Sequence, residues 1–176
     1  MGSIAPKLEQ AEIARSKRKQ TESLDAYDYF LRGVASLHRG ERVSTIEALR
    51  LFYRSIELDP DYAAPYGMAA WCYDLGKWNG WMIDPAKEGS ETERLARCAA
   101  DKDDAVALCA GGFAIAHTVG DLEFGAACID RALLLNPNLA TAWFFGSWVS
   151  SSVSAGLPLV SLIVVVAIMY RYMVMA

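Results

Sequence analysis

Histidine is scarce in this sequence: 176 residues contain only His38 and His117. There is no G-x-S-x-G elbow, no C-x-x-C pair and no glycine-rich loop ending in Lys followed by Ser or Thr. A histidine-based nucleophile system is therefore poorly supplied, and a phosphate-cradling loop is not readable. Gly111-Gly112 lies inside an apolar helical pattern and lacks the lysine such a loop needs. The opening MGSIAPKLEQ has no apolar stretch of the kind a secretory signal requires. Gly2 and Ser3 hint at myristoylation, but Pro6 stands where that signal wants Ser or Thr. Positive charge is also in short supply. The net charge is -4, which argues against a broad nucleic-acid surface. The one basic cluster, Lys17-Arg18-Lys19, reads as a solvated helix face, and no nucleic-acid partner is expected.

The four cysteines, Cys72, Cys98, Cys109 and Cys128, sit inside helical patterns. They read as small buried hydrophobes in a reducing, cytoplasmic setting. Cys98, Cys109, His117 and Cys128 could be read as a zinc cluster, but their spacing matches no zinc module. No metal and no cofactor is expected.

What is present is repetition. Residues 49–62 read LRLFYRSIELDPDY and residues 130–139 read DRALLLNPNL: two amphipathic helices, each closed by a polar residue and a proline. Proline cannot continue a helix, so it punctuates each unit. New helical patterns begin after Pro60 and Pro137. The first unit has Tyr29 and Gly33 on one helix, then Ala48, Phe52, Ser55 and Pro60 on the next. The second has Tyr66, Ala70 and Tyr73, then Ala99. The third has Leu108 and Gly112, then Gly125, Ile129, Ala132 and Pro137, and a fourth opens with Trp143 and Ser147.

This series resembles tetratricopeptide repeats, whose period is about 34 residues and whose units are helix pairs. The resemblance implies an all-α fold: a tetratricopeptide-like array of helical hairpins, an α-solenoid, with an apolar C-terminal tail. The sequence divides into a helical lead-in or linker (1–23), the repeats (24–149), and a Ser-rich linker with the tail (150–176). The expected array runs from Leu24 to Trp148 as three helix pairs and a lone final helix. Three departures stand out. Lys102 occupies the corner where the second unit would carry proline. Gly125 replaces the family's alanine, at about 0.5–1 kcal/mol of helix propensity. The run DLGKWNGWMIDPAKEGS between Tyr73 and Glu91 reads as an inserted loop, with Trp78, Trp81 and Met82 as anchors.

A narrower resemblance rests on KLEQAEIARSKRK, LDAYDYFLRG, DPDYAAPYGMAAWCY and KDDAVALCAGGFAIAHTVGDLEFGAACIDRALLLNPNLA. These are similar to the C-terminal region of bacterial class III adenylate/guanylate cyclase-type proteins. The resemblance implies a detached regulatory repeat region, truncated at both ends and without the catalytic domain. A cyclase holds its metal ions with two carboxylates. The acids here, among them Asp59, Asp61, Asp101, Asp103, Asp104 and Asp121, fall at helix ends and turns, where they cap helices. No catalytic residue is assigned, and the chain is read as a protein-interaction scaffold with an unidentified protein or peptide partner. The alternatives are a cyclase fragment lacking its catalytic domain, a membrane-tethered module and a non-functional degraded product.

Aligning the units puts Trp71, Phe113 and Trp148 at equivalent positions, one step past the small residue at each helix crossing. In the family that position often faces the groove, so the three are a candidate partner groove. The alternative is that they pack against the inserted loop or a neighbouring unit. From Ser150 the pattern stops, and residues 157–176 read LPLVSLIVVVAIMYRYMVMA. That length just reaches a bilayer span, although Pro158 and Arg171 interrupt it. A membrane anchor, a packed cap and an aggregation-prone segment all stay open for this tail, as does a frameshift origin.

Overall fold

The computed structural model describes residues 23–155, with side chains as far as residue 152. The basic cluster at Lys17-Arg18-Lys19, most of the lead-in and the membrane reading of residues 157–176 lie outside the described residues. Among the described residues there are seven helices and no strand: α1 (Leu24–Leu37), α2 (Arg42–Leu58), α3 (Ala64–Trp78), α4 (Pro85–Ala100), α5 (Ala105–Thr118), α6 (Leu122–Leu135) and α7 (Ala140–Ala155). None of these helices is long and apolar enough to cross a membrane.

Local chemistry places the starts. Ser23, Asp84, Asp104 and Asp121 each accept a hydrogen bond from a first-turn amide at 2.8–3.2 Å, satisfying a donor that has no partner within the helix. Gly40, Gly80 and Gly120, which follow α1, α3 and α5, have φ of 68°, 68° and 91°. That left-handed backbone favours glycine. Two corners repeat in detail. Asp59 accepts from the amide of Asp61 at 3.0 Å, and Asn136 accepts from the amide of Asn138 at 3.1 Å. Tyr66 donates to the carbonyl of Pro60 and Trp143 to that of Pro137, each six residues after its proline.

Two expectations need correction. The run between Tyr73 and Glu91 is not an inserted loop: α3 continues to Trp78 and α4 begins at Pro85, leaving only residues 79–84 between them. Proline at the first helical position forfeits an amide that has no intrahelical partner, so Pro85 starts a helix rather than breaking one. The spacing also exceeds the expected period. The alternate helices begin at Leu24, Ala64, Ala105 and Ala140, so successive units are 40, 41 and 35 residues apart.

Each helix packs on the next, and α3 packs extensively on α5. The central helix α5 meets α3, α4, α6 and α7. Its residues from Ala107 to Ala116 are accordingly all buried, as a helix covered on every side requires. Small residues set the spacing. A Cβ on Gly67 would lie 2.6 Å from the carbonyl oxygen of Ala107, and one on Gly125 would lie 2.5 Å from that of Gly112. Gly125 therefore stands where α5 and α6 leave no room for an alanine methyl. The Lys102 corner is tied by its side chain: the ammonium reaches Asp61 at 3.3 Å and lies over the Tyr66 ring.

Candidate functional site

The structure brings Trp71, Phe113 and Trp148 together. The Trp71 and Phe113 ring centroids are 5.6 Å apart, and those of Phe113 and Trp148 are 5.0 Å apart. Phe145 stacks on Phe113 at 4.1 Å and completes the cluster. Phe113 is 1% exposed and Trp148 3% exposed, so these two rings offer almost no area to a surface partner, whereas Trp71 is half-buried. Tilted and stacked rings at such distances gain about 0.5–1.5 kcal/mol per pair beyond their burial.

At the edge of this cluster, His117 Nδ1 lies 2.6 Å from Asp74, whose carboxylate also accepts from the Thr118 hydroxyl at 2.8 Å. Asp74 is 2% exposed. Lys77, on the same helix, donates to the carbonyls of His117 and Thr118 and so caps the C-terminus of α5. The pair is a polar clasp between α3 and α5 in which each buried group finds a partner. Sequence reasoning passed over Asp74. The available signal was a lone acid in the otherwise apolar WCYDLG stretch.

An open cleft lies elsewhere among the described residues. It measures about 980 Å³ and lies between α2 and α4, with α3 as its floor. Its α2 wall is the stripe Arg42, Thr45, Ile46, Leu49 and Tyr53, at the spacing that puts residues on one helix face. Tyr73 and Gly76 contribute to the floor. The two walls are bridged at one level, where the Tyr53 hydroxyl donates to Glu91 at 2.6 Å and meets the Tyr73 hydroxyl at 3.2 Å. Arg94 grips the same carboxylate with two bonds, at 2.6 and 2.9 Å. The far end is bounded by residues 79–84, where Arg42 reaches the Trp81 carbonyl at 3.4 Å.

The electrostatics follow from these contacts. The Arg94 hydrogen bonds hold the Glu91 carboxyl below the usual range, outweighing its partial desolvation. Burial pushes the Tyr53 phenol up, and donation to Glu91 adds to this. Burial likewise raises Tyr73. The bridging tyrosines are thus neutral donors, suited to binding and not to proton abstraction near neutral pH. Burial also raises the thiols, Cys109 and Cys128 each to about 11 and Cys72 further, which keeps them protonated and poorly nucleophilic. Among the described residues no group of three His, Cys, Asp or Glu is placed to hold a metal ion. Compared with known proteins, the chain matches no family model, no curated protein and no solved structure.

Proposed function

We propose that the chain is a protein-interaction module built as a tetratricopeptide-like array, and that the cleft over α3 is its binding surface. The observation that carries this reading is the cleft itself: an open, partly apolar trough spanned by the network of Tyr53, Tyr73, Glu91 and Arg94. Such a surface suits recognition by shape and area, the usual use of stacked helical units. The array reading is supported by the repeated corners at Pro60 and Pro137, by small residues at the helix crossings and by packing between alternate helices. The four free thiols fit a reducing, cytoplasmic setting. On the sequence resemblance, we place the module as a regulatory repeat region of a cyclase-type signalling protein, contributing binding rather than catalysis.

The test is to pan a random peptide library against the full chain and map the selected peptides by amide chemical-shift changes. The reading expects perturbations at Ile46, Leu49, Tyr73 and Glu91. Failure to select any peptide, or perturbations confined to α6 and α7, would remove the cleft from this role.

A further inference from the structure

We propose that α7 is the first helix of a fourth pair whose second helix is supplied by a partner protein. That partner helix is amphipathic, with small residues at positions i, i+4 and i+7 and a lysine or arginine at i+10. The face is distinct from the cleft, and its role depends only on the repeat equivalence of α7 with α1, α3 and α5.

One side of α7 is packed: Ala142, Phe145, Trp148 and Val149 are buried in the cluster shared with α5 and α6. Its other side is open. Trp143 is 59% exposed, and Ser147 and Ser151 are exposed beside it, at the spacing of one helix face. The equivalent positions elsewhere are covered. Tyr66 matches Trp143, since each donates to the carbonyl of the proline six residues before it, and Tyr66 is only 8% exposed. Ala70 matches Ser147 and is fully buried. In the first and third units the cover is the second helix of the same unit. A Cβ on Gly33 would meet Phe52 of α2, and one on Gly112 would meet Cys128 and Ile129 of α6. The Ser147 and Ser151 hydroxyls donate to the carbonyls four residues before them at 2.8 Å, so an apolar cover leaves neither donor unsatisfied.

The internal pairs give the occupant's chemistry. The second helix carries a large residue where the first offers glycine: Phe52 against Gly33, and Ile129 against Gly112. In the second unit the first helix offers Ala70, and the corresponding residue of α4 is Ala96, in the buried stripe Thr92, Ala96 and Ala99. Ser147 also carries a side chain, so the α4 form is the one that fits without overpacking. The same unit supplies the charge. Lys102, three residues past Ala99, lies 5.6 Å from the Tyr66 ring centroid. The matching ring on α7 is the indole of Trp143, the better face for a cation. The residues after α7 do not supply such a helix. Three to six residues separate first and second helices in the described pairs. Residues 156–176 nevertheless contain no two Gly, Ala, Ser or Thr residues seven apart. The stripe therefore comes from another protein.

The probe is a fluorescein-labelled peptide of residues 84–104 carrying Cys98→Ser, titrated with the full chain and read by anisotropy. Amide shifts of the isotope-labelled full chain locate the site. Binding is expected, with shifts at Trp143, Ser147 and Ser151. The peptide with Ala96→Phe should bind roughly ten-fold more weakly, and so should the chain variant Ser147→Phe, since both overpack the same contact. Lys102→Gln in the peptide should cost roughly three-fold on the parent chain and nothing on Trp143→Ala. Ser147 is exposed, so Ser147→Phe should melt with the parent. If it does not fold, the Ala96→Phe peptide tests the same contact from the other side. No binding at millimolar concentration, shifts confined to α3 and α5, or indifference to both phenylalanines overturns the proposal. So does a Ser147→Phe chain in which amides of residues 160–176 shift together with those of α7, because the following residues would then be the cover. None of these outcomes moves Ile46 or Glu91, so the reading of the cleft stands or falls separately.

Discussion

Two seams in this molecule have the same parentage and opposite outcomes. Helices α2 and α4 flank α3, and helices α4 and α6 flank α5, so the two seams would be equivalent in a regular array. The first is open: among the described residues its walls are joined through the Tyr53–Glu91 bridge, and the cleft lies beside it. The second is covered. Arg97 lies 4.6 Å over the Phe124 ring and reaches Asp121 at 3.5 Å, while Arg131 of α6 pairs with Asp103 beyond the end of α4. In the second seam a long cation is laid across an aromatic ring, its aliphatic stem covering apolar surface while the charged head stays wet. Backbone placement alone therefore does not decide where a repeat array presents a surface.

The largest expected effect falls on the closed side. Phe113→Ala removes the ring on which Trp71, Phe145 and Trp148 converge and should cost about 3–5 kcal/mol in denaturant unfolding. Tyr73→Phe on the open side removes one partly wet hydroxyl contact and should cost about 1 kcal/mol or less. Similar costs for the two would erase the distinction between a packed region and an open one.

Glycine substitutions sharpen it next. Gly125→Ala pushes a methyl against Ala116 and the Gly112 carbonyl and should cost about 1–3 kcal/mol. Gly89→Ala, in α4 with nothing within 4 Å of the added carbon, should gain roughly 0.5–1 kcal/mol. Paired melting curves with the same sign would mean that α5 and α6 have slack.

Arg97→Ala should cost less than about 1 kcal/mol, since its ion pairs are exposed, yet it uncovers Phe124. The readout is a rise in apolar-dye fluorescence relative to the parent, making the second seam resemble the first. Unchanged fluorescence would show that Arg97 is not the cover.

The smallest effect is on pH dependence. Glu91 is lowered in the folded protein, so its contribution to stability is complete above the unfolded value of about 4.3 and is lost as the pH falls through its lower folded value. Glu91→Gln should flatten the stability profile in that acidic window and leave it alone near neutrality. A profile identical to the parent would mean the Arg94 and Tyr53 contacts do not hold in solution.

Much of the all-helical fold was legible because helices advertise themselves at short range. The DPD and NPN corners, the apolar periodicity and the small residues at Gly33, Ala70 and Gly112 are all local patterns. Pro85 misled because a proline that starts a helix and one that breaks it look alike until the chain before it is placed. The clasp of Asp74 with His117 was hidden by separation: the partners are 43 residues apart and meet only because Gly67 lets α3 lie against α5. The cleft was hidden for the same reason. The α2 stripe from Arg42 to Tyr53 is visible as a helix face, but that α4 stands back from it depends on what fills each seam. Trp71, Phe113 and Trp148 share a repeat position in the sequence and their rings lie close together, whereas the burial of Phe113 and Trp148 depends on Phe145 and on how closely α7 approaches.

The central claim is that the seam beside α3, and not the seam beside α5, receives a partner. The most direct measurement is the affinity of one library-selected peptide for the parent chain, for Ile46→Asp and for Arg97→Ala, with each variant's fold checked by circular dichroism. The account predicts a loss of roughly ten-fold or more for Ile46→Asp, from placing a charge on the apolar wall, and parent-like affinity for Arg97→Ala. Parent-like binding by Ile46→Asp, with the loss falling on Arg97→Ala instead, would contradict it.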